Sequence, residues 1–391
     1  MGSILNFVFL KDTFEENGNP SYPEYNGDNS YAQYGPIYQY IKQKRYPYTI
    51  NGEISKTHKN LLLIEANHKF ESILHIPQDV FDFIKNNDIK LLFTSIPDPC
   101  DLSTFIIGCN YLKTKLPKEK YYLIDSNTRL PDIFTFDFFV EEAIFNKHYN
   151  FINHPNSLGY ISEKIHINEL DGVRNKKFLC FNRNIDKPHR ISLLYEYLNN
   201  DYSDSYFTFL MKTENYADIY RLDVNKISIT AEYFNKHLPI ELDTHNISDK
   251  GNFNVTNTFK KELFLNSCIN LVTESSFERN ELFISEKVFK PIINYQPFIV
   301  LSSYGYLKKL RSYGFKTFGD YWDESYDDIE NPDDRFKKLL EIIRKLNKKT
   351  IEELNELYKN IKHICIYNKE VFDNLKIDTL EKILKNIENK W

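Results

Sequence analysis

The apolar positions of the chain fall into two series separated by a polar stretch. In the first series, residues 61–65 form a short apolar run bounded by polar positions, which predicts a buried strand. Residues 77–86 place apolar side chains at Val80, Phe81, Phe83 and Ile84 and predict a helix. A strand at 90–95, a helix at 103–113 and a strand at 121–125 follow. Parallel βαβ units produce this spacing, because each crossover between parallel strands needs a helix. Residues 1–58, rich in Tyr, Asn, Pro and Gly around Tyr22 to Tyr38, show little periodicity and read as an irregular segment packed on the first domain.

Residues 163–177 are polar and charged and read as a linker. The alternation then restarts with a strand at 177–181, a helix at 188–198 and a strand at 206–211. An apolar run closes 263–273, followed by a helix at 285–294, a strand at 297–302 and a short helix at 306–313. From Asp334 onward the pattern is helical, with Phe336, Leu339, Leu340, Ile343 and Leu346 on one stripe. The expected fold class is α/β, with two Rossmann-like domains facing a cleft, over residues 1–170 and 171–370. Ligands of open parallel sheets bind beyond the carboxyl ends of the strands, so the residues that follow each strand are the candidates for chemistry.

The length of 391 residues agrees with two cores, since one core rarely serves so long a chain. Hydrophobic content of 41% with 27% charged residues excludes wholesale disorder. Lysines outnumber arginines about four to one, and Asn and Ile are abundant, which reads as an AT-rich genome of a giant virus, a phage or a bacterium. Arginines inside motifs are therefore informative. The net charge of −5 disfavours a nucleic-acid-wrapping role, which needs a basic surface. Cys100, Cys109, Cys180, Cys268 and Cys365 are scattered without CxxC spacing, so reduced thiols are expected and no zinc site. No apolar run approaches the roughly 18 residues of a membrane span. Nothing at the start resembles a signal peptide, which points to the cytoplasm, or the host's cytoplasm for a viral protein.

Two stretches carry candidate chemistry. The first is Phe178-Leu-Cys-Phe-Asn-Arg-Asn184, followed by Lys187-Pro-His-Arg190 and the apolar helix to Leu198. Pro188 suits a helix start, where its missing N–H costs nothing. Arg183, His189 and Arg190 then lie near a helix N-terminus, where free amides and the dipole favour an anion. The plainer alternative is a solvated basic helix entry. The second stretch is Asn270-Leu-Val-Thr-Glu274, a polar loop containing Glu278, and then Phe283-Ile-Ser-Glu-Lys-Val-Phe-Lys-Pro291. Ser285 is an N-cap type, and Glu286 in the first turn suits the dipole. Glu286 can accept ribose hydroxyls and Lys287 can meet a phosphate. The plainer alternative here is simple capping.

The second stretch resembles the Tyr-Val-Thr-Glu-Lys segment of the family 10 fucosyltransferases, inverting GT-B enzymes that use GDP-fucose. The strand end at Glu274 is similar to their Phe-Glu-Asn, and Phe298 to Leu301 is similar to their Pro-Ile-Val-Tyr-Gly, with Ser302-Ser303 where the family has glycine. Phe178 to Leu198 with Arg190 looks like their earlier strand, arginine and helix. The resemblance covers residues 177–320. Phe-Leu-Cys-Phe-Asn-Arg and Gly314-Phe-Lys-Thr-Phe318 also resemble glycosyltransferase-like proteins of large viruses and phages. The resemblance implies a GT-B-like glycosyltransferase with Arg190 and Lys287 on phosphate and Glu286 on ribose. A last helix over 371–391 would pack back on the first domain. The implied donor is a nucleotide diphosphate sugar, GDP-linked first and UDP-linked second, and the implied acceptor a glycan; no separate cofactor is implied. Seven residues separate Glu278 from Glu286, the spacing of two glutamates in many retaining GT-B enzymes, so inversion and retention both stay open.

Metal-dependent transferases hold the diphosphate through a metal on Asp-x-Asp, and the chain contains none, so no metal site is expected. An inverting transferase also needs a base for the acceptor hydroxyl. Asp98, held between two prolines beyond a strand, and Glu65, near His68, are the candidates. Both also suit a turn or cap. The rival functions are a DNA-modifying glycosyltransferase acting on a hydroxylated base, and a non-catalytic Rossmann binding module.

Overall fold

The computed structural model describes residues 5–8, 45–49, 52–65, 70–95, 102–125, 165–182, 185, 187–209, 231–240, 261–278, 280–374, 384–385, 387–389 and 391. The chain divides into two compact units, residues 1–146 with 376–391, and residues 147–375. Among the described residues no helix is long and apolar enough to cross a membrane.

The first unit holds a parallel sheet of β1 (Leu5–Val8), β2 (Tyr48–Thr49), β3 (Lys59–Glu65), β4 (Ile89–Ser95) and β5 (Tyr121–Asp125), in the order β2-β1-β3-β4-β5. Helix α1 (Gln78–Asn86) joins β3 to β4, and α2 (Leu102–Lys115) joins β4 to β5. The amphipathic spacing of α1 buries Val80, Phe81 and Ile84. They pack in one core with Phe93, Phe105 and Leu112. Each large side chain removed from water in this way contributes about 1.5–3 kcal/mol.

The segment 1–58, expected to be irregular, contributes two strands instead. All four residues of β1 are buried, and β1 pairs with β2 and β3 on either side. A run of four residues is too short to display a period. Its place is instead secured by Asn6, whose Nδ2 donates to Asn60 Oδ1 (3.0 Å) and Thr49 Oγ1 (3.1 Å). The C-terminal residues belong to this unit: Lys59 Nζ donates to the Glu388 carbonyl (2.7 Å), and Lys90 Nζ lies 4.8 Å from the Trp391 ring centroid.

The second unit is a parallel sheet of β6 (Lys176–Asn182), β7 (Tyr206–Phe209), β8 (Ser267–Thr273) and β9 (Phe298–Leu301), ordered β7-β6-β8-β9. Helix α3 (Pro188–Asn199) joins β6 to β7. Helices α4 (Ala231–Asn235) and α5 (Lys261–Asn266) precede β8, and α6 (Glu286–Ile293) joins β8 to β9. Helices α7 (Tyr306–Ser312), α8 (Pro332–Asn347) and α9 (Ile351–Asn374) complete the unit. The central strand β8 is buried at every position, as a parallel strand covered on both faces must be.

The described part of the polar segment 163–177, residues 165–177, expected to be a linker, packs into this unit. Arg174 is 1% exposed, and its Nη1 donates to the carbonyls of Phe264, Leu265 and Ser267 at 2.6, 2.9 and 3.0 Å. Its guanidinium lies 3.6 Å from the centroid of the Tyr358 ring. Composition marked the segment as polar, but one arginine folds it inward.

Sheet order fixes where a ligand would enter. From β6 the chain moves outward through α3 to β7, and from β8 it moves the other way through α6 to β9. The carboxyl ends of β6 and β8 therefore flank a point where the order reverses, the usual ligand crevice of such sheets. The first sheet reverses in the same manner between β1 and β3.

Candidate functional site

Asn182 ends β6 and Thr273 ends β8, and the Thr273 hydroxyl donates to Asn182 Oδ1 at 2.6 Å. Just beyond, two helices begin. Helix α3 opens with Pro188 after the Lys187 N-cap. Helix α6 opens after Ser285, whose Oγ accepts from the Lys287 amide (3.2 Å).

Glu274 joins these two helix starts. It is fully buried, and its carbonyl accepts from His189 Nε2 (2.9 Å) and Arg190 Nη2 (3.1 Å). Its Oε1 accepts from the Ser285 amide (3.0 Å) and the Tyr306 hydroxyl (2.7 Å), and its Oε2 from Ser285 Oγ (2.5 Å). Lys287 Nζ stands 3.9 Å from the same carboxylate. A buried carboxylate is tolerated only when paired and hydrogen-bonded, and Glu274 is both.

His189 and Arg190 grip the loop from the α3 side. Arg190 Nη2 also donates to the Thr273 carbonyl (3.1 Å). A carbonyl only accepts, so the bond to Glu274 requires the hydrogen on His189 Nε2. The other ring nitrogen, Nδ1, lies 3.2 Å from Glu278 Oε1, which also takes the His189 amide at 3.2 Å. Glu278 thus occupies the positive end of α3, where an anion is favoured. The His189 ring stacks on Phe277, with centroids 4.9 Å apart. Burial holds the His189 imidazole below the ordinary histidine value, opposed by the bond that Nδ1 can donate to Glu278 only when the ring is protonated. Burial alone would raise the Glu278 carboxyl, but hydrogen bonds from the His189 ring and amide, with the charge of the protonated ring, hold it lower than the ordinary glutamate value. The Cys180 thiol within β6 is pushed up to about 12 by burial and is no nucleophile.

Lys287 is the partly exposed cation of the group, with 28% of its side chain accessible. Its Nζ donates to Ser285 Oγ (3.1 Å) and Ser275 Oγ (3.3 Å). Of the residues singled out in the sequence, the fold gathers Arg190, Glu274, Glu278, Ser285 and Lys287, and Glu286 opens α6 beside them. Glu65 ends β3 in the first unit, next to the reversal of that sheet. Arg183, Asp98 and His68 lie outside the described residues. His189 as a binder of the loop, Ser275, and the Tyr306 hydroxyl were not expected. Tyr306 has no local signal, since its role depends on a partner 32 positions away. Among the described residues, no group of three or more His, Cys, Asp or Glu is placed to hold a metal ion.

Fold and site together define an α/β protein of two units, each with a parallel sheet, carrying a polar constellation at the sheet reversal of the second. No protein-family model and no curated protein sequence matches the chain. Among solved structures, the chain is similar to an α1,3-fucosyltransferase with GDP at a TM-score of 0.41 and 12% identity, covering 99% of this chain and 91% of that one. It is similar to an α1,3-fucosyltransferase with GDP-fucose at a TM-score of 0.38 and 11% identity, covering 100% of this chain and 90% of that one.

Proposed function

We propose that the chain is a metal-independent glycosyltransferase of GT-B type that binds a nucleotide diphosphate sugar at the β6/β8 reversal. The sugar, a hexose or deoxyhexose with GDP-fucose the first choice and a UDP-sugar the second, passes to a glycan hydroxyl. The observation that carries this reading is Lys287. Its ammonium sits with the Ser275 and Ser285 hydroxyls at the capped start of α6, beyond the carboxyl end of β8. A cation and a helix start at that edge are suited to a diphosphate. Glu286 in the first turn is assigned to the ribose, and a carboxylate, Asp98 or Glu65, to the acceptor proton. Thermal unfolding with GDP, UDP, CDP and dTDP in EDTA tests the reading, because a ligand of the folded state raises its stability by mass action. One nucleotide should raise the melting temperature in EDTA. Stabilisation that appears only with added Mn²⁺ would remove the metal-independent part, and none with any nucleotide would remove the donor site.

One observation favours a second reading. The chain's own carboxylates, Glu278 at α3 and Glu274 at Ser285, already occupy both helix starts. That is the arrangement of a self-capped binding module without catalysis. Nucleotide binding with neither transfer nor hydrolysis of any nucleotide sugar would decide for it.

A further inference from the structure

Arg190 and Lys287 are both cations at the β6/β8 reversal, yet their surroundings differ. Arg190 is 6% exposed, and its Nη2 is turned onto the Thr273 and Glu274 carbonyls, both at 3.1 Å. Turning Nη2 from those carbonyls to a phosphate would take a donor from the buried Thr273 carbonyl and leave the Glu274 carbonyl to His189 alone, which is costly. Lys287 is more open, and its Nζ rests on Ser285 Oγ, whose own hydrogen goes to Glu274, and on the Ser275 hydroxyl, which can turn toward an incoming anion. Between them lies Glu274. Its carbonyl is held by α3, and its carboxylate holds Ser285, whose Oγ in turn receives Lys287 Nζ and the Lys287 amide. Tyr306, at the first position of α7, steadies the same carboxylate.

We infer that Arg190 and Glu274 are positioning residues of the donor site: they set where Ser285 and Lys287 stand, while Lys287 and the Ser275 hydroxyl meet the anion. The inference rests on the donor-site reading above and departs from the phosphate contact that the resemblance implies for Arg190. Glu274 is likewise a strut between two helices and no ligand contact. Ser275 gains a role, as the hydroxyl that shares Lys287 and can donate its own hydrogen to a phosphate oxygen.

A positioning residue acts through its client, so its effect should vanish when the client is gone. The full chain is compared as wild type, Arg190→Lys, Lys287→Gln and the double variant, with GDP affinity measured by calorimetry. Arg190→Lys should weaken GDP about tenfold when Lys287 is present, and by no more than about twofold when Gln stands there. Tyr306→Phe, which keeps the buried ring and removes only the hydroxyl, should show the same dependence on Lys287; it carries the test if Arg190→Lys fails to fold. Ser275→Ala should weaken GDP without lowering the melting temperature. Equal losses in both backgrounds would mean that Arg190 touches the nucleotide itself, and the inference is overturned. A folded Arg190→Lys with unchanged affinity overturns it as well. If the wild type binds no GDP, the donor-site reading falls and takes this inference with it, a result distinct from binding with additive losses.

Discussion

The Arg335 guanidinium of α8 lies 4.5 Å from the centroid of the Phe277 ring and donates through Nη2 to the carbonyl of that same residue. Its Nε donates to the carbonyl of Ser302 (3.0 Å) and its Nη1 to those of Ile329 (2.6 Å) and Glu330 (2.9 Å). One side chain, 1% exposed, thus binds the loop after β8, the loop after β9 and the entry to α8. Arg335→Met should lower unfolding stability by about 3 kcal/mol or more, because several buried carbonyls lose a charge-assisted donor. Arg335→Lys should recover less than half of that loss, since an ammonium cannot copy the fork. Urea unfolding followed in the second unit measures both, and an unchanged midpoint would show that the loops hold without the arginine.

Lys287→Ala should weaken nucleoside diphosphate binding about ten- to a hundredfold, the loss of one charge-assisted contact. Glu286→Gln should lower nucleotide affinity and spare the fold, because the first position of α6 needs no buried carboxylate there. If both variants merely lower the unfolding stability by about 1 kcal/mol and bind GDP normally, the residues are caps and nothing more.

The fully buried His189 supplies a pH prediction. Burial lowers its folded value, so the folded state refuses a proton that the unfolded chain accepts below about pH 6.5. Its stabilising influence is full above that value and declines as the pH falls through it. Glu278, also lowered, has the same sign: its contribution is present above the ordinary carboxylate range and is lost as the pH drops through the depressed value. His189→Gln keeps a donor for the Glu274 carbonyl but does not titrate. Its melting temperature should therefore fall less steeply between about pH 6.5 and 5 than that of the wild type. Matching slopes would place the titrating group elsewhere.

Asp98→Asn and Glu65→Gln test the acceptor base. Loss of the true base should abolish transfer while nucleotide affinity stays within about twofold, because a base acts in the transition state. Normal turnover in both single variants excludes the two carboxylates.

Much of the strand and helix pattern was legible from residue spacing. The apolar runs near Leu61 and Tyr121 and the Pro188 and Ser285 helix starts all emerge within two residues of their expected places. These features depend on neighbours in the chain, which periodicity and capping preferences report. β1 escaped because four residues cannot show a period. Arg174 escaped because a charged residue in a polar stretch gives no sign that carbonyls 90 positions away await it. Glu274 was legible as a strand-end carboxylate, but its inward turn was not. That turn depends on Ser285 and Tyr306, 11 and 32 positions away and each at the start of a different helix.

The discontinuity of the first unit bears on how the protein is made. Residues 1–146 leave the ribosome before the second unit, yet their unit also contains residues 376–391, which leave after the whole of the second unit. Lys59 and Lys90 must wait for Glu388 and Trp391 through most of translation. Domains generally fold in order of synthesis, N-terminal first. Here the second unit is contiguous in the chain, and the first can be completed only after all of the second has been synthesised. A released chain truncated before residue 376 would therefore carry a complete second unit and a first unit that has all five strands of its sheet but lacks its last segment, and chaperone dependence should centre on the N-terminal half.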